Sequence, residues 1–185
     1  MPGSKPMTEK KSLRKNFEDV QSAYREDGER AKVRYQSVSA LVSGLRCETQ
    51  TRKFKLTIDE KETLGGTDMG PNPVELILTA LGACQEITYR LYADLLGIPL
   101  DGITVEVSGD IDLCGFYAVD DETRPGYTNI TADVVVDSPA SDDDIQRLKA
   151  AVEQHCPVLD FIGNATPVTV TIRKKDIAAS VMHAL

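Results

Sequence analysis

The stretch NPVELILTALGACQEITYRLYADLLG, residues 72–97, limits what this chain can fold into more than any other. Asn72 stands where an N-cap belongs, Pro73 takes the first helical position, and Glu75 follows three residues after the cap. Together they form a capping box with asparagine as the cap. Gly97, with Pro99 just beyond, supplies a stop. The pattern predicts one helix from Pro73 to about Leu96. Its apolar residues (Leu76, Ile77, Leu78, Ala80, Leu81, Ala83, Cys84 and Ile87) cover nearly the whole circumference. A helix that is apolar all round is a central, buried one, so the rest of the chain has to wrap it.

The flanking segments suit that task. From Ala31 the period changes to two: KVRYQSVSALVSG and CETQTRKFKLTID read as the two strands of a β-hairpin, with Ser43-Gly44 as turn chemistry. LGGTDMGPNP is a loop rich in turn residues. GITVEVSGDID and NITADVVVD read as strands, joined by an acidic loop through VDDETRPGY. SPASDDDIQRLKAAVEQHC is a second helix, capped by Ser141 and carrying Asp142, Asp143 and Asp144 at its positive end. Pro157 interrupts it, VLDFIGN adds a short helical turn, and PVTVTIRKK reads as a last strand. The order ββ-α-ββ-α-β lacks regular βαβ alternation and predicts an α+β fold. Residues 1–29 are polar and charge-rich. Leu13, Phe17, Val20 and Tyr24 recur there at helical spacing, so a polar, helical N-terminal extension precedes a domain over 30–185.

Composition removes whole classes of function. A length of 185 residues suffices for one buried core. A net charge of −8 and a pI near 4.8 oppose a nucleic-acid partner, because phosphate binding needs a basic face. No apolar run reaches the roughly 18 residues that span a bilayer, and the first residues lack the apolar core of a secretory signal. A cytoplasmic, reducing compartment is the expectation, without a membrane. The four cysteines, at 47, 84, 114 and 156, are too far apart for a C-x-x-C pair or a zinc knuckle, and there are only two histidines. No metal and no cofactor is expected. Gly65, Gly66 and Gly70 fit neither a phosphate-binding nor a dinucleotide-binding loop and read as structural turns.

The thiols remain. Cys84 lies twelve residues past its cap, too deep in its helix for the helix dipole to act on it, and on local grounds alone it reads as packing. Cys156 has the stronger local case. It follows His155, precedes Pro157, and stands at a cap position where unpaired N–H groups favour a thiolate. A Cys-His protease reading lacks a third, orienting residue. Cys47 follows Arg46, and Cys114 sits in DIDLCGFY; neither has a further activating pattern.

LGGTDMGPNPVELILTALGAC, followed at this distance by HCPVLDFIGNATPVTVTI, resembles the OsmC/Ohr family of osmotically inducible and organic hydroperoxide resistance proteins. The resemblance spans roughly residues 31–175. It implies antiparallel sheets around two central helices in an intertwined homodimer. It also implies a cofactor-free, cysteine-based peroxidase for organic hydroperoxides, active in the oxidative stress response. Cys84 matches the attacking thiol, which becomes a sulfenic acid, and Cys156 the thiol that resolves it as a disulfide. A dihydrolipoyl-type or low-molecular-weight thiol would serve as reductant. Arg46 matches the arginine that attends the thiolate. The family's glutamate directly after the N-P proline is Val74 here, and the carboxylate comes one place later, at Glu75, about 100° round the helix. GPNPVEL looks more like the third branch of the family. Two alternatives stand beside peroxidase action: a redox sensor or small-molecule binder on the same fold, and thiol chemistry on reactive sulfur species or acyl groups.

Overall fold

The computed structural model describes residues 12–174. The elements run α1 (Leu13–Glu26), β1 (Val38–Ser43), β2 (Arg46–Thr51), β3 (Phe54–Ile58), α2 (Pro73–Leu96), β4 (Gly102–Ile111), α3 (Leu113–Phe116), β5 (Tyr127–Asp137), α4 (Asp142–His155) and α5 (Pro157–Gly163). β1-β2-β3 form one antiparallel sheet and β4-β5 another, so the architecture is α+β.

The organising helix forms as its sequence predicts. The Asn72 side chain accepts from the Glu75 N–H and the Glu75 carboxylate from the Asn72 N–H, each at 2.9 Å. Gly97 closes α2 at φ +70°, a conformation that costs glycine no Cβ clash. One side of α2 lies on β4, where a Cβ added at Gly82 would already touch Val107 at 3.4 Å. Tyr127 at the start of β5 donates to the Val74 carbonyl at 3.0 Å and ties the second sheet to the first turn of α2. The other side packs on α4 and α5. There Tyr89, Ala93, Ile98, Leu100, Leu148, Val152 and Cys156 form the buried cluster.

The loop before α2 is held from within by a buried carboxylate. Asp59 accepts from the Glu60, Thr67 and Met69 N–H groups and from the Thr67 hydroxyl. The Thr67 hydroxyl leads in holding its carboxyl below the ordinary 3.8, and the backbone N–H groups add to it against the opposing effect of burial. A Cβ at Gly66 would meet the Glu60 carbonyl at 1.9 Å, and one at Gly70 the Thr57 carbonyl at 2.2 Å, so these glycines serve close backbone approach.

Three expectations change. The second strand of the hairpin is broken: Arg52, at φ +52°, turns the chain, and the arm is three-stranded rather than a hairpin. Val33 and Tyr35, read as the start of the first strand, lie outside β1. PVTVTIRKK forms no strand over 167–174, and Lys175 lies outside the described residues. Val168, Val170 and Ile172 are exposed, because a strand exists only through its neighbours and the described residues offer this segment none. The fourth departure concerns burial. α2 is not enclosed on all sides: Ile77 (39%) and Ile87 (61%) are exposed and, with Ala80 and Ala83, form an apolar stripe open to solvent.

α1 begins at Ser12, whose hydroxyl accepts from the Lys15 N–H. It docks on α2 by setting Phe17 edge-on to Tyr92, ring centroids 5.7 Å apart.

Candidate active site

Cys84 and Cys156 are brought together. Seventy-two residues apart in sequence, their sulfurs lie 3.4 Å apart, with the Cys156 thiol donating to Cys84. Two features of the fold produce this. α2 and α4 pack side by side, and Pro157 breaks the second helix so that Cys156 serves as the C-cap of α4 and the N-cap of α5. Cys156 is buried, and Cys84 is half-buried between the core and the open stripe of α2. A disulfide needs about 2.05 Å between sulfurs, so closure asks for a shift on the order of 1.4 Å.

The electrostatics of Cys156 reverse the local expectation. The backbone N–H groups of Leu159 and Val158 do pull its thiol toward ionisation, as a helix start should. Burial outweighs them and pushes it above the ordinary 9.0, and the neighbouring Cys84 sulfur pushes in the same direction. Cys156 therefore keeps its proton and gives it as a hydrogen bond to Cys84. His155 is engaged elsewhere: its ring stacks on Tyr92 at 5.0 Å with an interplanar angle of 3°.

Within one chain, Arg46 and Glu75 are not brought to this pair. Glu75 lies nine residues before Cys84 on α2, about 13–14 Å along the axis. Its carboxylate is held by the Asn72 N–H and by Lys61 at 3.3 Å; the former leads in keeping its pKa low. Arg46 opens β2 and makes no ion pair among the described residues, and its buried Nε has no hydrogen-bond partner. Cys47 faces an apolar cavity of about 520 Å³ shared with Leu45, Ile58, Phe116 and Tyr117. Val74, at the position of the family glutamate, lines the same cavity. That cavity escaped the sequence reading; the aromatic pair in DIDLCGFY was its only signal. Cys114 is exposed, and the Asp112 side chain beside it raises its pKa, chiefly by accepting its hydrogen bond, so nothing activates it.

Fold and thiol pair together define a class: an α+β domain that holds two reduced cysteines in contact over a hydrophobic core. The family model described as "OsmC-like protein" matches residues 66–171, more than half of the chain. The chain belongs to the OsmC-like family. An OsmC-like protein from Mycoplasma pneumoniae has the same fold (TM-score 0.63, 20% identity, 72% of this chain and 90% of that one). So has an organic hydroperoxide resistance protein from Legionella pneumophila (0.55, 19%, 71% and 91%). A protein of Haloferax volcanii described only as uncharacterized is 26% identical over 129 residues, 70% of this chain and 87% of its own length. Among the described residues, no helix is long and apolar enough to cross a membrane.

Proposed function

We propose that the chain is a thiol-dependent reductase of organic hydroperoxides, with Cys84 attacking and Cys156 resolving. One observation carries this reading: two free thiols, far apart in sequence, in hydrogen-bond contact. The Cys84 thiolate attacks the terminal peroxide oxygen, the O–O bond breaks, and the alkoxide leaves as alcohol on taking a proton. Cys84 is then a sulfenic acid. The Cys156 sulfur attacks it, the S–S bond forms and water departs. Two equivalents of external thiol, small or dihydrolipoyl-type, return the pair to the reduced state by exchange. The apolar surroundings of Cys84 suit alkyl peroxides better than highly charged ones.

The working unit in this reading is a cytoplasmic homodimer. The domain over 30–185 carries the chemistry, and residues 1–29 are an appendage. The open stripe on α2 and the unpaired Arg46 support the dimer. In this reading the two-fold axis lies across α2, so the paired helices run antiparallel and each β1–β3 arm reaches toward the partner's site. The two chains then form one site, in which Arg46 favours the partner's thiolate.

The test is direct. Reduced protein treated with one equivalent of cumene hydroperoxide should lose two thiols per chain and yield a Cys84–Cys156 disulfide by peptide mapping. Cys84→Ser should lose none at a comparable rate. Retention of wild-type peroxide consumption by Cys84→Ser would sink the reading. The engagement of Glu75 with its own helix and Lys61 favours one second reading, a sensor that oxidises once and turns over slowly. Slow steady-state turnover after fast first oxidation would identify it.

A further inference from the structure

The charge of this chain is segregated. Residues 30–58 hold seven basic residues against one acidic, a net +6, so the rest of the chain carries −14. Arg30, Arg34, Arg46, Arg52, Lys53 and Lys55 make no ion pair among the described residues, nor do Arg25, Arg124, Arg173 and Lys174, whereas Lys61, Arg90, Arg147 and Lys149 are paired. Four of the unpaired cations, Arg46, Arg52, Lys53 and Lys55, lie on the arm formed by β1, β2 and β3 or on its β2–β3 turn, and Arg34 shortly precedes it.

The strand register says which way they face. Cys47 and Ile58 are cross-strand partners and line the cavity against the start of α2, so that face of the arm looks inward. Strand alternation sends the row Val38–Gln50–Lys55 to the opposite face. A groove of about 1140 Å³ runs over it, with Arg34, Arg52 and Lys55 along it and Tyr35 and Val38 as its apolar part. Among the described residues Glu48 is the one carboxylate lining the groove, and it already accepts from the Thr57 hydroxyl. Gln36 adds an amide; the Gln50 amide already donates to the Arg52 carbonyl, and the Thr49 and Thr51 hydroxyls, on the Cys47 side of β2, donate to the Ser39 hydroxyl and the Gln36 carbonyl.

We propose that this outer groove is a docking site for an acidic, extended segment of another polypeptide. Three unpaired cations supply the attraction, and Tyr35 and Val38 offer an apolar strip on which an extended chain can lie. Nucleic acid fits less well. A long polyanion would meet the acidic body as well as the arm, whereas a short acidic segment meets only the groove. A second copy of the chain is the other candidate, and the experiment separates it.

A fluorescent twelve-residue peptide alternating glutamate and serine is titrated into the full chain at 50 mM salt, with a glutamine-serine peptide as control. The acidic peptide should bind, the control should not, and binding should fade at 0.5 M salt. Arg34→Gln/Arg52→Gln/Lys55→Gln should weaken it about tenfold, three exposed charge pairs acting together. Arg147→Gln/Lys149→Gln, which removes cations from α4, should not weaken it. In the unaltered protein the bound peptide should shield Lys55, and not Lys149, from acetylation. Three results overturn the proposal: undiminished binding by the triple variant with Lys55 unshielded, equal or tighter binding of a single-stranded oligonucleotide of the same charge, or a change in the chain's own sedimentation on losing the three cations. The last would make the groove a contact between copies.

Discussion

Cys84 and Cys156 bear the same side chain in unlike surroundings, and in the proposed reaction the difference sets the order of events. Burial keeps Cys156 protonated, so it can wait as a hydrogen-bond donor while its neighbour reacts. Cys156→Ser should therefore leave Cys84 able to react once and then stop at the sulfenic acid. Dimedone labelling of Cys84 in that variant, with little in the wild type, is the expected mass-spectrometric result. The raised pKa also predicts a pH dependence. Attack on the sulfenic acid needs the Cys156 thiolate, whose fraction grows about tenfold per pH unit below its pKa. Disulfide formation after a peroxide pulse should accelerate steadily from pH 6.5 to 8.5; a flat profile would mean that Cys156 does not limit resolution. Asp59 gives the opposite sign. Its folded pKa is depressed below 3.8, so its stabilising effect is present above that value and fades as pH falls through the depressed one. Asp59→Asn should lower the melting temperature at pH 7 and flatten the loss of stability below about pH 4.

At the scale of elements, α2 depends on its caps because every part of the site is measured from it. Asn72→Ala removes the acceptor for the Glu75 N–H and should cost about 1 kcal/mol, seen as a lower urea midpoint at unchanged slope. Leu148→Ala, in the fully buried face of α4, should cost more, about 2–5 kcal/mol. These elements were legible in the sequence because caps, prolines and helical spacing act locally. Asn72, Pro73, Gly97, Ser141 and Pro157 each sit where local rules put them. The departures arose where the deciding partner is remote or the residue is atypical. The turn at Arg52 uses a positive φ without glycine. PVTVTIRKK has strand periodicity but lacks a neighbour over its described part. The site divides in the same way. Its two cysteines are named through the resemblance of their motifs to a family, since local rules read Cys84 as packing; their 3.4 Å contact is a property of helix packing, and the burial that lifts Cys156 belongs to α2 and α4 together.

At the scale of the molecule, one chain leaves too much apolar surface open. Ile77, Ala80, Ala83 and Ile87 recur on α2 at spacings of three, three and four residues, the repeat of a helix-packing seam, and all four are exposed. Leu41, Val42, Phe54 and Leu56 on the arm are exposed too, and so are Val168, Val170 and Ile172. Exposed apolar stripes of this kind on a chain with its own core support the proposed dimer. A two-fold dimer would cover the α2 seam with its own copy and offer the unpaired segment at 167–174 a sheet edge. Ile87 is the more exposed of the two isoleucines in the seam, at 61% against 39% for Ile77, and contributes little to the fold of one chain. Ile87→Glu should therefore leave the far-ultraviolet circular dichroism of the folded chain largely intact while placing like charges face to face across the axis. Sedimentation at micromolar concentration should move from dimer toward monomer. Peroxide reduction should fall with it, because Arg46 would no longer reach a partner's Cys84. The two readouts need not move together, and that makes the test informative. A monomer that keeps full activity would show that each chain holds a complete site and that Arg46 serves its own Cys84 or none. A dimer that withstands the charge would place the interface elsewhere, with the arm as the next surface to probe.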